Sequence, residues 1–191
     1  MDEIGDALNA LEAAGTPRGN ITVLHCNTEY PTPMEDVNLR AMNAIAETLG
    51  VAVGYSDHTL GIEVPLAAVA LGAQVIEKHF TLDRSLPGPD QLASLEPAEL
   101  ADLVTGIRMV EQALGTGQKI PSEKELQNRI AARRSLVTTQ DIAAGRLLQP
   151  EDLAVMRPGS GLAPKELERV IGMRVRWDIP GGTVLSEDML E

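Results

Sequence analysis

Apolar residues along this chain fall into two alternating textures, short continuous runs and longer stretches at helical spacing. Ile4, Leu8 and Leu11 recur with a helical period, and Gly15 and Pro17 stop that helix. Ile21–Cys26 is a β-rich run. The turn-like Asn27-Thr-Glu-Tyr-Pro-Thr-Pro33 follows, and its prolines forbid strand continuation. A second helix is predicted from Glu35 or Asp36, with Val37, Leu39, Met42, Ile45 and Leu49 as its apolar face and Gly50 as its end. Val51–Gly54 reads as a second strand, Ile62–Leu71 as an Ala-rich helix, and Gln74–Glu77 as a third strand. After a loop from Leu82 to Leu92, Pro97 and Glu99 open a helix bearing Leu100, Leu103, Ile107, Val110 and Leu114.

A helix followed by three repeats of strand, loop and helix is βαβ grammar and predicts parallel strands in an α/β fold. The apolar runs end in polar, ionisable residues, which a parallel sheet places at the strand ends where α/β proteins put their chemistry. Three strands make a thin sheet. A closed barrel of eight units takes roughly 250 residues, more than residues 1–115 supply.

Past Gly115 the texture changes. A polar connector runs to Glu125, and a basic run spans Arg129–Arg134. The segment Asp141-Ile-Ala-Ala-Gly-Arg-Leu-Leu148 recurs as Asp178-Ile-Pro-Gly-Gly-Thr-Val-Leu185, each followed by an acidic pair. Two such units predict a small β domain with internal pseudo-symmetry. The expected division is a partial barrel at 1–118, a linker at 119–132 and the small domain at 133–191.

Charge narrows the function classes. A formal net charge of -12 argues against a nucleic-acid surface. Cys26 is the single cysteine, so no intrachain disulfide forms. No apolar run approaches the roughly 18 residues of a membrane helix, and the acidic start is unlike a signal peptide. The expectation is a soluble cytoplasmic protein without membrane or nucleic-acid partners.

His58 and His79 are the sharpest chemical clue. They lie 21 residues apart, one βα repeat, so neighbouring strand ends bring the rings together. Two neutral imidazoles suit a divalent metal and leave positions for water and substrate oxygens; a capping or hydrogen-bonded structural role is the alternative. Ser56 can bond a phosphate or carboxylate. Asp90 can hold a substrate hydroxyl or simply form a turn. Tyr30 can contact a ligand or pack, and Arg157 can clamp an anion or stand exposed. Cys26 is expected to be buried and inert.

These residues carry a family resemblance. His25-Cys-Asn-Thr-Glu-Tyr-Pro-Thr-Pro33, Gly54-Tyr-Ser-Asp-His-Thr-Leu-Gly61, Glu77-Lys-His-Phe-Thr-Leu-Asp83, Pro87-Gly-Pro-Asp90 and Met156-Arg-Pro-Gly-Ser-Gly161 resemble, in colinear order, the bacterial-type sialic acid (N-acetylneuraminate) synthases. The resemblance implies the C-terminal part of a (β/α)8 TIM barrel, about three βα units, followed by a small antifreeze-like (SAF, β-clip) domain. It implies condensation of phosphoenolpyruvate with N-acetylmannosamine or a related N-acetylated hexosamine, giving a nonulosonic acid and phosphate. It also implies a divalent metal, Mn2+ foremost with Mg2+ or Co2+ as alternatives, held by His58 and His79. Ser56 then falls on a phosphoenolpyruvate contact, and Tyr30 and Asp90 line the sugar pocket. Thr28 falls where some members use Asn, while Asn27 stands one residue earlier. Arg157 resembles an arginine that the small domain of one subunit lends to its partner in a domain-swapped homodimer. The family's phosphoenolpyruvate lysines and the glutamate near its attacking centre find no counterpart here, so this chain alone is expected to be inactive. The competing readings are a non-catalytic fragment or split-enzyme subunit that serves as a docking module, and a metal hydrolase for which no general base can be assigned.

Overall fold

The computed structural model describes residues 1–191 and divides into two compact units, Met1–Gln118 and Lys119–Glu191. In the first unit, β1 (Thr22–Cys26), β2 (Ala52–Asp57) and β3 (Ile76–Lys78) form a parallel sheet in the order β1-β2-β3. Helices α1 (Asp2–Ala13), α2 (Arg40–Leu49) and α3 (Glu63–Ala70) supply its cover, and α4 (Pro97–Leu114) packs on α3.

Alternation along the strands decides the core. Val53 and Tyr55 of β2 are buried with Leu8, Met42, Ile45, Val64 and Ala68 from the helices. The opposite face carries Leu24, Gly54, Ser56 and Glu77, in line with the two-residue period of a strand. No side chain fits at Gly54: a Cβ there would run into Leu24 and into the Val75 carbonyl oxygen, a backbone atom that cannot step aside.

Three local results differ from the sequence reading. Strand β2 continues to Asp57 rather than ending at Gly54, because Tyr55, Ser56 and Asp57 keep pairing with β3. The second helix begins at Arg40 rather than at residue 35 or 36. A 3-10 turn at Met34–Asp36 precedes it, and Asn38 at φ 44° breaks the path between them; Asn is one of the few side chains that tolerates the left-handed region. Finally, Leu95 makes a fourth parallel position beside β3: Thr81 N–H donates to Leu95 O and Leu95 N–H to His79 O, each at 2.9 Å. A single bridge residue between a Pro-Gly loop and a helix leaves no periodic signal.

Helix ends follow the residues that can stop or start them. Gly50 closes α2 at φ 63°, its N–H donating to Ala46 O. Pro97 opens α4, where Glu96 and Glu99 form a reciprocal capping box. No helix is long and apolar enough to cross a membrane.

In the second unit, the stretch expected as a linker contains a helix, α5 (Glu123–Ala132), capped by Ser122. An antiparallel pair follows, β4 (Ser135–Thr138) with β5 (Leu153–Met156), and then a short helix α6 (Leu167–Val170). The core gathers Leu136, Ile142, Leu148, Val170, Val175, Ile179 and Leu185.

The internal repeat is visible bond by bond. Ile142 and Ile179 exchange both N–H···O bonds at 2.8 Å. Asp141 Oδ1 accepts from Gly181 N–H at 2.8 Å, and Asp178 Oδ1 accepts from Ala144 N–H at 2.7 Å. Gly145 N–H reaches Val175 O and Gly182 N–H reaches Thr138 O, both at 2.7 Å. Each bond has its counterpart with the two repeats exchanged, as a pseudo-twofold requires.

Asp152 in this unit is fully buried and accepts from Gln140 Nε2 at 2.7 Å, Arg146 at 2.8 Å and Gln149 N–H at 2.9 Å. Burial acts to raise its pKa. The Gln149 N–H, the Gln140 amide and the Arg146 charge outweigh that and hold it below the ordinary carboxylate value. A depressed folded pKa stabilises above the unfolded Asp value of about 3.9 and is lost as pH falls through the lower folded value. Acid unfolding followed at Trp177, the only tryptophan, is therefore expected to steepen below about pH 4. Asp152→Asn is expected to flatten that acid limb; an unchanged limb would remove Asp152 as its source.

Candidate active site

The 21-residue offset between β2 and β3 brings side chains together in rows. Ser56 pairs with Glu77 and Asp57 with Lys78 in the sheet register, and His58 and His79 come next on their strands. Ser56 Oγ donates to Glu77 Oε1 at 2.7 Å. On the opposite face, Lys78 Nζ donates to Asp57 Oδ2 at 2.5 Å and to Thr59 O at 2.6 Å. That ion pair is almost fully enclosed, with side-chain exposures of 3% for Lys78 and 0% for Asp57.

Beyond these rows the rings of His58 and His79 stand 5.1 Å apart, edge to face. Tyr30 stacks on His58 with centroids 3.9 Å apart and meets His79 edge-on at 5.3 Å. Asp90 Oδ2 lies 3.7 Å from His79 Nδ1. The structure thus gathers His58, His79, Tyr30 and Asp90 from three separate segments, with Ser56 one row below. Thr28 is exposed on the Tyr30 loop. Arg157 belongs to the second unit, where it is exposed and its Nε donates to Ala132 O at 3.1 Å.

His58 is buried, and its Nδ1 sits 2.6 Å from the Asn27 carbonyl oxygen. A carbonyl can only accept, so Nδ1 carries the proton. In the neutral ring this leaves the Nε2 lone pair free, the arrangement that a second partner enforces on a metal-binding histidine. At His79 the Asp90 carboxylate stands on the Nδ1 side of the ring, which leaves Nε2 of that ring open as well. Tyr30 keeps its phenol proton firmly: desolvation first, then the negative groups at Cys26, Asp90 and Glu77, push its pKa up.

No group of three or more His, Cys, Asp or Glu side chains forms a metal cluster. The two imidazoles, His58 held at Nδ1 by the Asn27 carbonyl and His79 with Asp90 3.7 Å from its Nδ1, fit a metal that takes its remaining ligands from water and substrate oxygens.

One expectation fails here. Cys26 is exposed rather than buried. Its Sγ lies 3.8 Å from His58 Nδ1, because the end of β1 carries it onto the same face as Ser56. Glu77, on the face shared with His79, and the Asp57–Lys78 pair on the other face also belong to this strand end. The 21-residue offset that aligns the histidines aligns these neighbours too.

Residues 1–119 match the NeuB family model, and residues 133–191 match the SAF domain model. The chain is 48% identical over 171 residues to N,N'-diacetyllegionaminic acid synthase of Legionella pneumophila, a match covering 90% of this chain and 48% of that protein. Among solved structures, N-acetylneuraminic acid (sialic acid) synthetase of Leptospira borgpetersenii in complex with citrate is 40% identical with a TM-score of 0.59, covering 66% of this chain and 44% of that one. The spore coat polysaccharide biosynthesis protein spsE of Bacillus subtilis is 35% identical with a TM-score of 0.56, covering 100% of this chain and 58% of that one. The chain spans about half the length of the curated relatives it matches.

Proposed function

The chain belongs to the NeuB family, the sialic acid synthases, with a SAF domain after its barrel segment, and from that membership we propose that it supplies the metal-binding, sugar-facing end of a nonulosonic acid synthase. The reaction is condensation of phosphoenolpyruvate with N-acetylmannosamine or a related N-acetylated hexosamine, releasing phosphate. The similarity to the Legionella protein extends the candidates to the precursor of a diacetylated nonulosonic acid.

The observation that carries the reading is the 2.6 Å contact of His58 Nδ1 with the Asn27 carbonyl, an acceptor that calls for the proton on Nδ1 and so leaves Nε2 of the neutral ring free beside His79. His58 and His79 would hold a divalent ion, with Mn2+ the first candidate ahead of Mg2+ or Co2+. When bound, it supplies Lewis acidity toward the sugar aldehyde oxygen. Tyr30 and Asp90 flank the imidazoles and orient the sugar, Tyr30 as a protonated phenol and Asp90 as a hydroxyl acceptor. Thr28 stands on the same loop at the sugar side. Ser56 donates its hydroxyl proton to Glu77 Oε1; to bind phosphoenolpyruvate the hydroxyl would turn and donate that proton to a ligand oxygen instead. Arg157 is assigned to a partner subunit's site in a swapped homodimer.

The barrel segment holds four parallel strand positions, and the family's phosphoenolpyruvate lysines have no counterpart among its residues. The chain by itself is therefore read as inactive. A hybrid joining it to the N-terminal half of the Legionella relative is the test. Phosphate release is expected only when phosphoenolpyruvate, an N-acetylated hexosamine and Mn2+ are all present, and none is expected from the 191-residue chain alone. Release without sugar, or a folded hybrid that releases nothing, would count against condensation. Sugar-dependent release by the chain alone would overturn the reading that it is inactive by itself.

A further inference from the structure

We propose that the buried Asp57–Lys78 pair is a positioning clamp that fixes the tautomer of His58 and the separation of the two imidazoles. The proposal rests on the metal reading above only for the affinity it predicts.

Asp57 and Lys78 are register partners at the ends of β2 and β3. Each immediately precedes one of the histidines. Their side chains meet on the face away from the imidazoles, so the pair touches neither ring and acts through the backbone. Lys78 Nζ grips both sides of His58: it donates to Asp57 Oδ2, the residue before, and to Thr59 O, the residue after. Asp57 Oδ1 accepts from the Thr59 N–H at 3.0 Å and from the Thr59 hydroxyl at 2.9 Å, closing a small ring around the His58 backbone. The His58 carbonyl in turn accepts from Thr32 N–H at 2.9 Å, which ties in the loop that carries Tyr30.

Stability alone does not explain such a pair. Desolvating two charges offsets most of their attraction, and well-packed apolar residues often hold a site as firmly. What apolar packing lacks is direction. A lysine with two short, angled bonds sets both the shift between two strand ends and their rotation, and those two variables place His58 against the Asn27 carbonyl and against His79. Outer partners that orient metal-binding histidines typically change metal affinity by roughly 10–100-fold when removed.

The test uses the full 191-residue chain. Asp57→Asn combined with Lys78→Met removes both charges at similar volume, so no unpaired charge is buried. Imidazole nitrogen NMR above the ordinary histidine pKa of about 6.5 reads the tautomers, and titration with Mn2+ alone reads affinity from broadening of the ring signals. In the parent, His58 is expected as a single Nδ1–H tautomer. In the double variant, at comparable melting temperature, that signature is expected to average between tautomers and the Mn2+ half-saturation point to rise by roughly 10–100-fold. Lys78→Arg keeps the charge within the folded unit but changes reach and shape; a smaller change in the same direction is expected, and it serves if the double variant fails to fold. A folded variant with the parent's tautomer and the parent's half-saturation point would overturn the clamp. Loss of the tautomer signature in a protein whose rings never respond to Mn2+ would support the clamp and remove the metal reading instead.

Discussion

Replacing Lys78 with alanine is expected to cost the first unit roughly 3–5 kcal/mol, because it strands the Asp57 carboxylate in the interior with no counter-charge. A domain's whole stability is typically about 5–15 kcal/mol, so the variant should lie close to its unfolding midpoint near physiological temperature. The magnitude comes from enclosure. Arg108–Glu111 on α4 has the same 2.8 Å geometry as many strong pairs, yet with side-chain exposures of 67% and 49% its loss should cost no more than about 1 kcal/mol. Comparing Lys78→Ala with Arg108→Ala by urea unfolding, followed by helical circular dichroism, checks the contrast. Similar midpoints for the two variants would mean that water reaches Asp57 and that the pair is not an interior one.

The second large effect falls on chemistry. In the hybrid with a complete barrel, His58→Ala and His79→Ala are each expected to reduce sugar-dependent phosphate release by at least about 100-fold, the scale seen when a single electrostatic stabiliser of a transition state is removed. The two substitutions should not behave alike in stability. His58 is buried and bonded to the Asn27 carbonyl, so its removal also leaves a cavity beneath Tyr30. His79 is a third exposed, and its removal should be almost silent in melting temperature. Near-normal turnover in a folded His79→Ala hybrid would remove that imidazole from the centre.

Much of this arrangement is legible in the sequence because parallel sheets repeat. The apolar runs at Ile21–Cys26, Val51–Gly54 and Gln74–Glu77 mark the strands, but the register of the second with the third is the 21-residue spacing of His58 and His79, not the 23 residues between the starts of the runs. The same 21-residue spacing joins Asp57 to Lys78 and Ser56 to Glu77. The strand at Leu95 is illegible for a different reason: its two backbone bonds come from tertiary position beside His79, with too few residues to show a period. The break at Asn38 is hidden by Val37, Leu39 and Met42, whose spacing suits a helix even though one residue between them adopts positive φ. Cys26 misleads because cysteines are most often buried, whereas here the sheet ends beneath it. The second unit is the clearest part, since matched Asp, Ile, Gly and Leu positions in two copies became matched hydrogen bonds.

Pulsed electron paramagnetic resonance of Mn2+ added below stoichiometry to the full chain tests most directly whether His58 and His79 are the metal-binding end of a synthase centre. Nitrogen modulation from two imidazoles is expected in the parent, falling to one in either His58→Ala or His79→Ala. Manganese that shows no nitrogen coupling, or coupling unchanged by both substitutions, would contradict the assignment.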